Sequence, residues 1–348
     1  MADGMYRIGV VGATSLAGKE LSDELQESLL AASEFVLLDD DEEAAGRMTA
    51  AGDEPLFIQR IEAASFERMD FVFFVGDAAG TKKHWLQARR AGASLIDMTY
   101  ALEGEKDVLV RSPLALAGLA DASAKTAGPD LKTPAVVSAH PAAVMLALVA
   151  GRLKAKLKLS LVAATVMEPA SEHGSAAMDE LHQQTVNLLS FHSVPREQYD
   201  AQVSFNLLPA LGPVAKVRLA AVSERIRQHY AVLSGGTLPP LALQLVQAPV
   251  FHGYAASVLV ELDEAATLDE VKAALAGDQV EVADAESDPP SNVSAAGQQS
   301  VMVRVASEGE SSTRFWLWLA ADNLKLAAVN AIACALELRK LRPSGKVQ

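Results

Sequence analysis

The residues with the clearest chemical potential form a glycine-containing turn near the start of the chain. Gly12 follows a buried-strand pattern, Arg7 to Val11, and Gly18 lies near the start of a helical pattern that begins at Leu16. Backbone N–H groups at such a helix N-terminus can bind phosphate, and glycines allow a pyrophosphate and a sheet to approach closely. The pattern predicts a dinucleotide site formed by Gly9, Gly12, Ala13, Thr14, Ser15, Leu16 and Gly18. A third glycine, expected near Ser15, is absent, and a tight turn that only packs is the alternative.

A run of five acidic residues, Asp39 to Glu43, follows the second apolar run of the chain, Glu34 to Leu38. In a dinucleotide-binding βαβ unit, the adenosine ribose lies at this point, and the carboxylate of Asp39 can accept hydrogen bonds from two ribose hydroxyls. Several carboxylates together would repel a 2′-phosphate. The run therefore favours NAD over NADP as the cofactor, and a solvated acidic loop is the alternative.

Other residue types that carry chemistry are few or scattered. The only cysteine, Cys334, lies among Ala and Leu in the last helical pattern, where a packed apolar thiol is expected rather than a nucleophile. His140, His173 and His252 could converge in one cleft for zinc binding or hydrolysis. Their spacing matches no local metal motif, so we expect structural or surface roles for them and no metal site.

Composition narrows the class of protein. The chain has 348 residues, half of them apolar, which is enough for two domains with substantial cores. A formal net charge of −14 opposes nonspecific binding to nucleic acid. The longest apolar stretches, such as Ala142 to Ala150, are shorter than the roughly 18 residues that a membrane span needs. With one cysteine and no signal-peptide pattern in Met1 to Tyr6, we expect a cytoplasmic protein.

The elements that would position these residues alternate between strand and helix over the first 140 or so positions. After the first βαβ unit, apolar runs at Phe71 to Val75, Leu95 to Met98 and Val108 to Val110 predict strands, and a helical pattern spans Thr81 to Ala91. This alternation predicts an α/β fold with a doubly wound, Rossmann-type sheet.

Later apolar runs predict the strands of a second sheet, and so a second α+β domain. They are Leu157 to Val166, Leu243 to Val250, Ala256 to Leu262 and Val301 to Val305. A helix is predicted from Ser175 to Leu189, and a final helix from Ala321 to Leu341. The serine- and proline-containing stretch Asp284 to Gln299 predicts a flexible loop.

Several short motifs follow one another in a specific order. They are Val10 to Gly18, Gly76-Asp77, Leu95 to Thr99, Ala139 to Ala143, Pro169 to Gly174, Glu180-Leu181, Pro249 to Gly253 and Asp322 to Leu324. In this order they resemble the aspartate-semialdehyde dehydrogenase family, particularly its Usg-type paralogues, over nearly the full length of the chain. The resemblance adds Gly76 and Gly174 to the expected cofactor-binding residues.

The resemblance also implies a domain organisation. A dinucleotide-binding domain would span residues 1–138 and a central catalytic-like domain residues 139–320, with a C-terminal helix over 321–348 that packs back on the first domain. The mixed sheet of the central domain would form the contact of a homodimer.

Active members of the family use a cysteine thiolate that attacks a carbonyl, after which hydride passes to nicotinamide and phosphate releases the acyl group. The family's nucleophile follows an Asn-Pro pair, which matches His140-Pro141 and places Ala143 at the nucleophile position. The family's histidine base matches Tyr254, and a phenol is a poor proton acceptor at neutral pH. The resemblance thus implies that both the nucleophile and the base are substituted.

The positions that bind substrate anions in the family also differ. The carboxylate-binding arginine matches Gln247, and the phosphate-binding arginine matches Glu103, whose charge would repel phosphate. The glutamine before the glycine loop matches Glu168, whereas Arg227 keeps one cation.

Three functions fit these observations. The first, which we favour, is a catalytically altered family member that dimerises and binds NAD or NADP, with NAD favoured. The second is an NAD(P)-dependent oxidoreductase that acts on an unknown carbonyl substrate without covalent catalysis. The third is a structural homodimer with a vestigial nucleotide cleft. No partner beyond a second copy and an unknown small molecule is expected, and neither nucleic acid nor a membrane is.

Overall fold

The computed structural model describes residues 6–31, 33–41, 46–51, 54–62, 64–117, 119, 128–284, 286–307, 309 and 311–341. The chain divides into two compact units. The first combines Met1–Pro113, Ala127–Ala139 and Ala327–Gln348, and the second combines Leu114–Thr126 and His140–Leu326. No helix within the described ranges is long and apolar enough to cross a membrane.

Within its described residues, the first unit has one eight-stranded sheet. Its strands are β1 (Arg7–Val11), β2 (Glu34–Asp39), β3 (Met48–Ala51), β4 (Glu54–Arg60), β5 (Phe71–Phe74), β6 (Ser94–Asp97), β7 (Leu109–Arg111) and β8 (Val136–Ser138). The helices α1 (Leu16–Glu27) and α2 (Ala78–Arg90) connect β1 to β2 and β5 to β6.

Seven of these strands are parallel, in the order β4-β2-β1-β5-β6-β8-β7, and β3 pairs antiparallel with the edge strand β4. Successive strands are added outward in one direction from β1 and in the other from β5. The strand order therefore reverses between β1 and β5, which is where ligands bind in sheets of this type. The predicted doubly wound, Rossmann-type sheet is confirmed.

Both faces of this sheet are buried, which explains why its strands are continuous apolar runs. Phe71 and Phe73 face one apolar cluster, and Val72 and Phe74 face the other. The first cluster also contains four small residues of the last helix: Ala328, Ala331, Cys334 and Ala335. Alanine and cysteine side chains let the helix approach the other apolar residues of this cluster closely.

The second unit contains a six-stranded sheet among its described residues. Its strands are β9 (Leu159–Glu168), β10 (Leu241–Gln247), β11 (Tyr254–Thr267), β12 (Val280–Val282), β13 (Val301–Ser307) and β14 (Ser311–Ala321). Its helices are α4 (Pro141–Lys156), α5 (Ser175–Leu189), α6 (Leu219–Ser234), α7 (Leu268–Leu275) and α8 (Asn292–Ala295). Two helices extend across the boundary between the units: α3 (Pro113–Ala117) and α9 (Asn323–Arg339).

The strand order of this second sheet is β10-β9-β11-β14-β13-β12. The two outer pairs are parallel and the inner pairs are antiparallel, so the predicted second sheet is present and mixed. One face is buried, with Val162, Ala164 and Val166 of β9 on it, and α4, α6 and α7 pack on β9, β10 and β13. This face carries the polar site described below.

The segment from Asp284 to Gln299, expected to be a flexible loop, has defined contacts where it is described. It contains α8, whose capping box joins Ser291 and Ser294. The indole nitrogen of Trp318 donates to the carbonyl of Pro290 at 2.8 Å, and Gly297 donates its N–H to Asp322. These contacts fasten the segment to β14 and to the residue that follows it.

Candidate functional site

Three glycines allow two turns of the first unit to meet at the β1–β5 switch point. Gly12 has φ +88°, and a Cβ atom there would collide with the backbone of Gly76, in the turn after β5. A Cβ on Gly18 would collide with the carbonyl of Gly12. Gly9 differs, since it lies inside β1, where a Cβ would meet its neighbours at ordinary distances. Packing alone thus accounts for Gly12, Gly18 and Gly76.

The same turn presents a helix N-terminus. Ser15 caps α1, because its hydroxyl accepts the N–H of Gly18 at 3.0 Å. The buried Ala13 precedes the more exposed Thr14. The N–H groups of Leu16 and Ala17, at the start of this 12-residue helix, have no acceptor within the described part of the chain. These two N–H groups and the helix dipole are suited to a phosphate oxygen.

The end of β2 is already bonded to this turn. Asp39 Oδ2 accepts the Thr14 hydroxyl at 2.5 Å and its N–H at 3.3 Å, and Oδ1 accepts the N–H of Asp41. Asp40 accepts Lys83 Nζ at 2.9 Å and His84 Nε2 at 2.8 Å. Burial raises the pKa of Asp40, but these two partners lower it below its ordinary value. The acidic residues 42 and 43 lie outside the described residues.

Asp97 shapes the turn that leads to Glu103 in the first unit. It is buried and accepts the N–H and hydroxyl of Thr99, each at 2.7 Å, and the N–H of Leu102 at 2.9 Å. Burial raises the pKa of Asp97 despite these hydrogen bonds. Glu103 is half-buried, directly after the turn.

In the second unit, three sequence-predicted site residues form one row across the sheet. Glu168 of β9 is the register partner of Gln247 of β10. Ala255 of β11 pairs with Met167, so Tyr254 stands opposite Glu168 at the other side of β9. Register partners point to the same face of a sheet, and all three side chains are buried.

Ala143 lies in the first turn of α4 and is fully buried. His140 precedes this helix as its N-cap, and its Nδ1 accepts the N–H of Ala142 at 3.3 Å. The backbone N–H of His140 donates to Nδ1 of His229 at 2.9 Å. The other ring nitrogen of His140, Nε2, faces Glu172.

Glu172 is the centre of a buried polar cluster that joins this helix start to the row. Its carboxylate lies 3.2 Å from His140 Nε2 and accepts Asn323 Nδ2 at 3.1 Å. Burial raises the pKa of Glu172, but attraction and hydrogen bonding from His140, together with the Tyr254 hydroxyl and His173, lower it to about 2. Glu172 is therefore a carboxylate at neutral pH.

His173 pairs with the row itself. Its Nε2 lies 2.9 Å from Glu168 Oε2. Burial lowers the pKa of His173, but attraction and hydrogen bonding from Glu168 outweigh burial and raise it above its ordinary value. Gly174 follows with φ +82° at the start of α5, and a Cβ there would meet no atom within 4 Å.

The structure thus brings together only some of the chemically interesting residues. His140 and His173 both lie around Glu172, whereas the side chain of His252 is exposed. Glu172, His229 and Asn323 were missed as site residues, although Glu172 and Asn323 lie inside motifs quoted above. Within the described residues, no group of three or more His, Cys, Asp or Glu is placed to hold a metal ion.

Cys334 lies in the first unit, buried in the core beneath the sheet. Its Sγ is 3.7 Å from the carbonyl oxygen of Arg111, and burial, with a smaller contribution from Glu337, raises the pKa of the thiol. Such a thiol is protonated and inaccessible.

A Rossmann-type unit and a second unit with a mixed sheet define an α/β protein of two compact units. Residues 7–126 match the NAD binding domain of semialdehyde dehydrogenase, and residues 151–326 match its dimerisation domain. The chain belongs to the semialdehyde dehydrogenase family.

Individual relatives agree with this assignment. The chain is 31% identical to a USG-1 protein homolog of Pseudomonas aeruginosa, over 93% of this chain and 95% of that protein. It is 26% identical to an aspartate-semialdehyde dehydrogenase of Rickettsia bellii, over 96% and 98%. The solved structure of a probable aspartate-semialdehyde dehydrogenase from Pseudomonas aeruginosa superposes with a TM-score of 0.84 at 28% identity, covering 97% and 99% of the two chains.

Proposed function

We propose that this protein is a Usg-type member of the family that binds a nicotinamide dinucleotide and forms a homodimer, but does not carry out thioester-dependent dehydrogenase chemistry. The observation that carries the proposal is the position of the only cysteine thiol. The single thiol of the chain, Cys334, is buried in the first unit, while the position that matches the family's nucleophile is Ala143, in the second. A methyl group cannot attack a carbonyl.

The proton-transfer position supports the same conclusion. Tyr254 stands in place of the family's histidine base, and its hydroxyl helps to lower the pKa of Glu172 rather than to accept a proton. His140 cannot substitute as a base, because its Nδ1 accepts the N–H of Ala142 and its Nε2 lies against Glu172. The imidazoles of His140 and His229 thus make contacts that stabilise the fold.

The positions that match the family's anion-binding residues offer little positive charge to a substrate anion. Gln247 Nε2 donates to the carbonyls of Glu168 and Ala248, at 3.1 and 3.3 Å, and brings no charge. Glu168 adds a buried carboxylate beside it. Arg227, the remaining cation, is paired with Glu224 at 3.0 Å. This arrangement disfavours a dicarboxylate or acyl phosphate.

Nucleotide binding is assigned to the first unit, at Gly12, Ala13, Thr14, Ser15, Leu16, Gly18, Asp39 and Gly76, with Gly9 behind them in β1. The open N–H groups of Leu16 and Ala17 would hold a phosphate, and the nucleotide would supply or accept hydride if any redox chemistry remains. Asp39 at the end of β2 favours NAD, because its carboxylate would repel the 2′-phosphate of NADP, whereas Asp40 beside it is paired with Lys83 and His84. We therefore assign NAD as the preferred dinucleotide. We also propose the cytoplasm as the compartment of the protein, because its single cysteine is a free thiol.

Dimerisation is assigned to the open face of the second sheet, which is the face opposite the one that α4, α6 and α7 cover. Trp316 and Trp318 on this face are 48% and 37% exposed. Their register partners on β11, Leu259 and Ser257, point to the same face. Trp is enriched at protein interfaces and rare on surfaces that stay solvated.

Two measurements test the proposal on the purified dimer. Calorimetric titration with NAD and with NADP is expected to give saturable binding, tighter for NAD. Absorbance of the reduced nicotinamide, followed with aspartate semialdehyde, phosphate and either nucleotide, is expected to show no turnover, with the Rickettsia bellii relative as the positive control. Turnover at the rate of that relative would overturn the proposal, and so would the absence of binding of both nucleotides.

A further inference from the structure

Two acceptors in the buried row of the second unit, Glu168 Oε1 and Gln247 Oε1, have no donor within the described part of the chain. Glu168 is fully buried, and its Oε2 is paired with His173. Its other oxygen, Oε1, is buried and has no hydrogen-bond partner within the described part of the chain. A buried carboxylate oxygen without a donor is rare in folded proteins, because it has lost water and gained nothing in return.

The groups around Glu168 cannot supply the missing donor. The Gln247 amide nitrogen donates to two backbone carbonyls, those of Glu168 and Ala248. His173 is held by Oε2, and the Tyr254 hydroxyl acts on Glu172, whose pKa it lowers. The part of the row nearest Oε1 therefore offers hydrogen-bond acceptors. In the family, the position of Gln247 instead holds an arginine, which is a cationic donor.

The charge of the site points the same way. Glu168 is paired with His173, and Glu172 lies against His140. Neither imidazole is therefore free to bind a ligand anion. A ligand carboxylate or phosphate placed beside Oε1 would be repelled, whereas a cationic N–H group would form a charge-assisted hydrogen bond.

We propose that this site binds a small molecule through a protonated primary amine that donates to Glu168 Oε1. The proposal rests on the proposed function, since it takes the altered site as a binding site rather than as a dehydrogenase centre. It assigns Glu168 as the residue that determines specificity, with Gln247 and His173 as positioning residues. The ligand class changes from the anionic substrates of the active family to amines.

The test is a calorimetric titration of the intact dimer with three probes of equal length and different charge: 3-aminopropanol, 1,3-propanediol and 3-hydroxypropionate. Near neutral pH, the amine is expected to bind saturably and at least tenfold more tightly than the diol or the carboxylate. Glu168→Gln is expected to weaken amine binding at least tenfold, and the matched control Glu281→Gln, at an exposed carboxylate of the same unit, is expected to leave it unchanged.

The outcomes separate this proposal from the proposed function. No saturable amine binding, or equal binding of the carboxylate, overturns the amine site, and an unchanged affinity in Glu168→Gln does so as well. If NAD binding and dimerisation persist in the same sample, the proposed function stands without it. Should Glu168→Gln fail to fold, the comparison of the three probes on the unaltered protein still decides the matter.

Discussion

Glu172 and the buried His140 form a pair, with 3.2 Å between a carboxylate oxygen and Nε2. His140 is also the N-cap of α4, and Asn323, which donates to the other oxygen of Glu172, is the first residue of α9. The carboxylate therefore connects the starts of two helices and the 3₁₀ turn Ala170–His173. A charge in this position stabilises the fold of the second unit as well as shaping its site.

The first prediction concerns the pH dependence of this pair. Folding lowers the pKa of Glu172 from 4.5 to about 2, so its stabilising contribution is complete above 4.5 and is lost as pH falls toward 2. Glu172→Gln is expected to lower the free energy of unfolding by about 3 kcal/mol at neutral pH. Urea unfolding should give a difference from wild type that shrinks below about pH 4.5. A constant difference across that range would contradict this account, and Glu281→Gln serves as the control.

The second prediction has the opposite sign. The pKa of His173 is raised in the folded protein, so its contribution is complete below the ordinary value of 6.5 and is lost as pH rises through the raised value. Urea unfolding from about pH 6 to about pH 9 should show stability that declines in wild type and declines less in His173→Gln. The exposed His252, changed to Gln, is the control and should decline as wild type does.

The third prediction separates conformational strain from packing at the glycine turn. Gly12 and Gly92 have nearly the same φ, +88° and +91°, but a Cβ at Gly92 meets nothing within 4 Å. Gly92→Ala is expected to cost about 1 kcal/mol of unfolding free energy. Gly12→Ala should cost more, on the order of 3 kcal/mol, because it also forces the backbone of Gly76 away. Equal losses in thermal unfolding would mean that the close approach of the two turns matters little.

These glycines also illustrate what the sequence could and could not predict. The central strands of the first sheet were predictable because strands buried on both faces are short apolar runs between glycine turns, as at Phe71 to Phe74, whereas Met48–Ala51 and Glu54–Arg60 were missed. The strand Ser311–Ala321 was missed, because Trp316 and Trp318 are apolar like their buried neighbours Phe315 and Leu317, so no alternation is visible. The helix Leu219–Ser234 was missed because Ser, Glu, Arg and His interrupt its apolar stripe.

The polar site was only partly predictable for a different reason. Glu168, Gln247 and Tyr254 come from three strands that are distant in sequence, and only the sheet register makes them neighbours. Their identities as substituted positions came from the family resemblance. The contacts of Glu172 with His140 and Asn323 depend on how two helices begin, which periodicity does not encode.

The fourth prediction concerns the thiol. Because Cys334 is buried and the pKa of its thiol is raised, iodoacetamide should leave the native protein unmodified and alkylate it only in denaturant. Mass spectrometry of the intact protein measures both states. Cys334→Ser is expected to cost about 1–3 kcal/mol of stability, because a hydroxyl replaces an apolar thiol in the core. Rapid labelling under native conditions would contradict the burial and would reopen the question of a reactive thiol.

The fifth prediction concerns the dimer. Trp316 and Trp318 lie on the open sheet face, and Leu259 and Ser257 lie between them and β9. If two copies meet on this face, a charge introduced there would be buried without a partner. Trp318→Glu is expected to weaken the dimer by on the order of 30-fold or more. Sedimentation velocity across a dilution series measures the change. Leu29→Glu, at an exposed apolar residue of the first unit, provides the control for added charge. A dimer that persists unchanged in Trp318→Glu, while Leu29→Glu dissociates, would move the interface to the first unit.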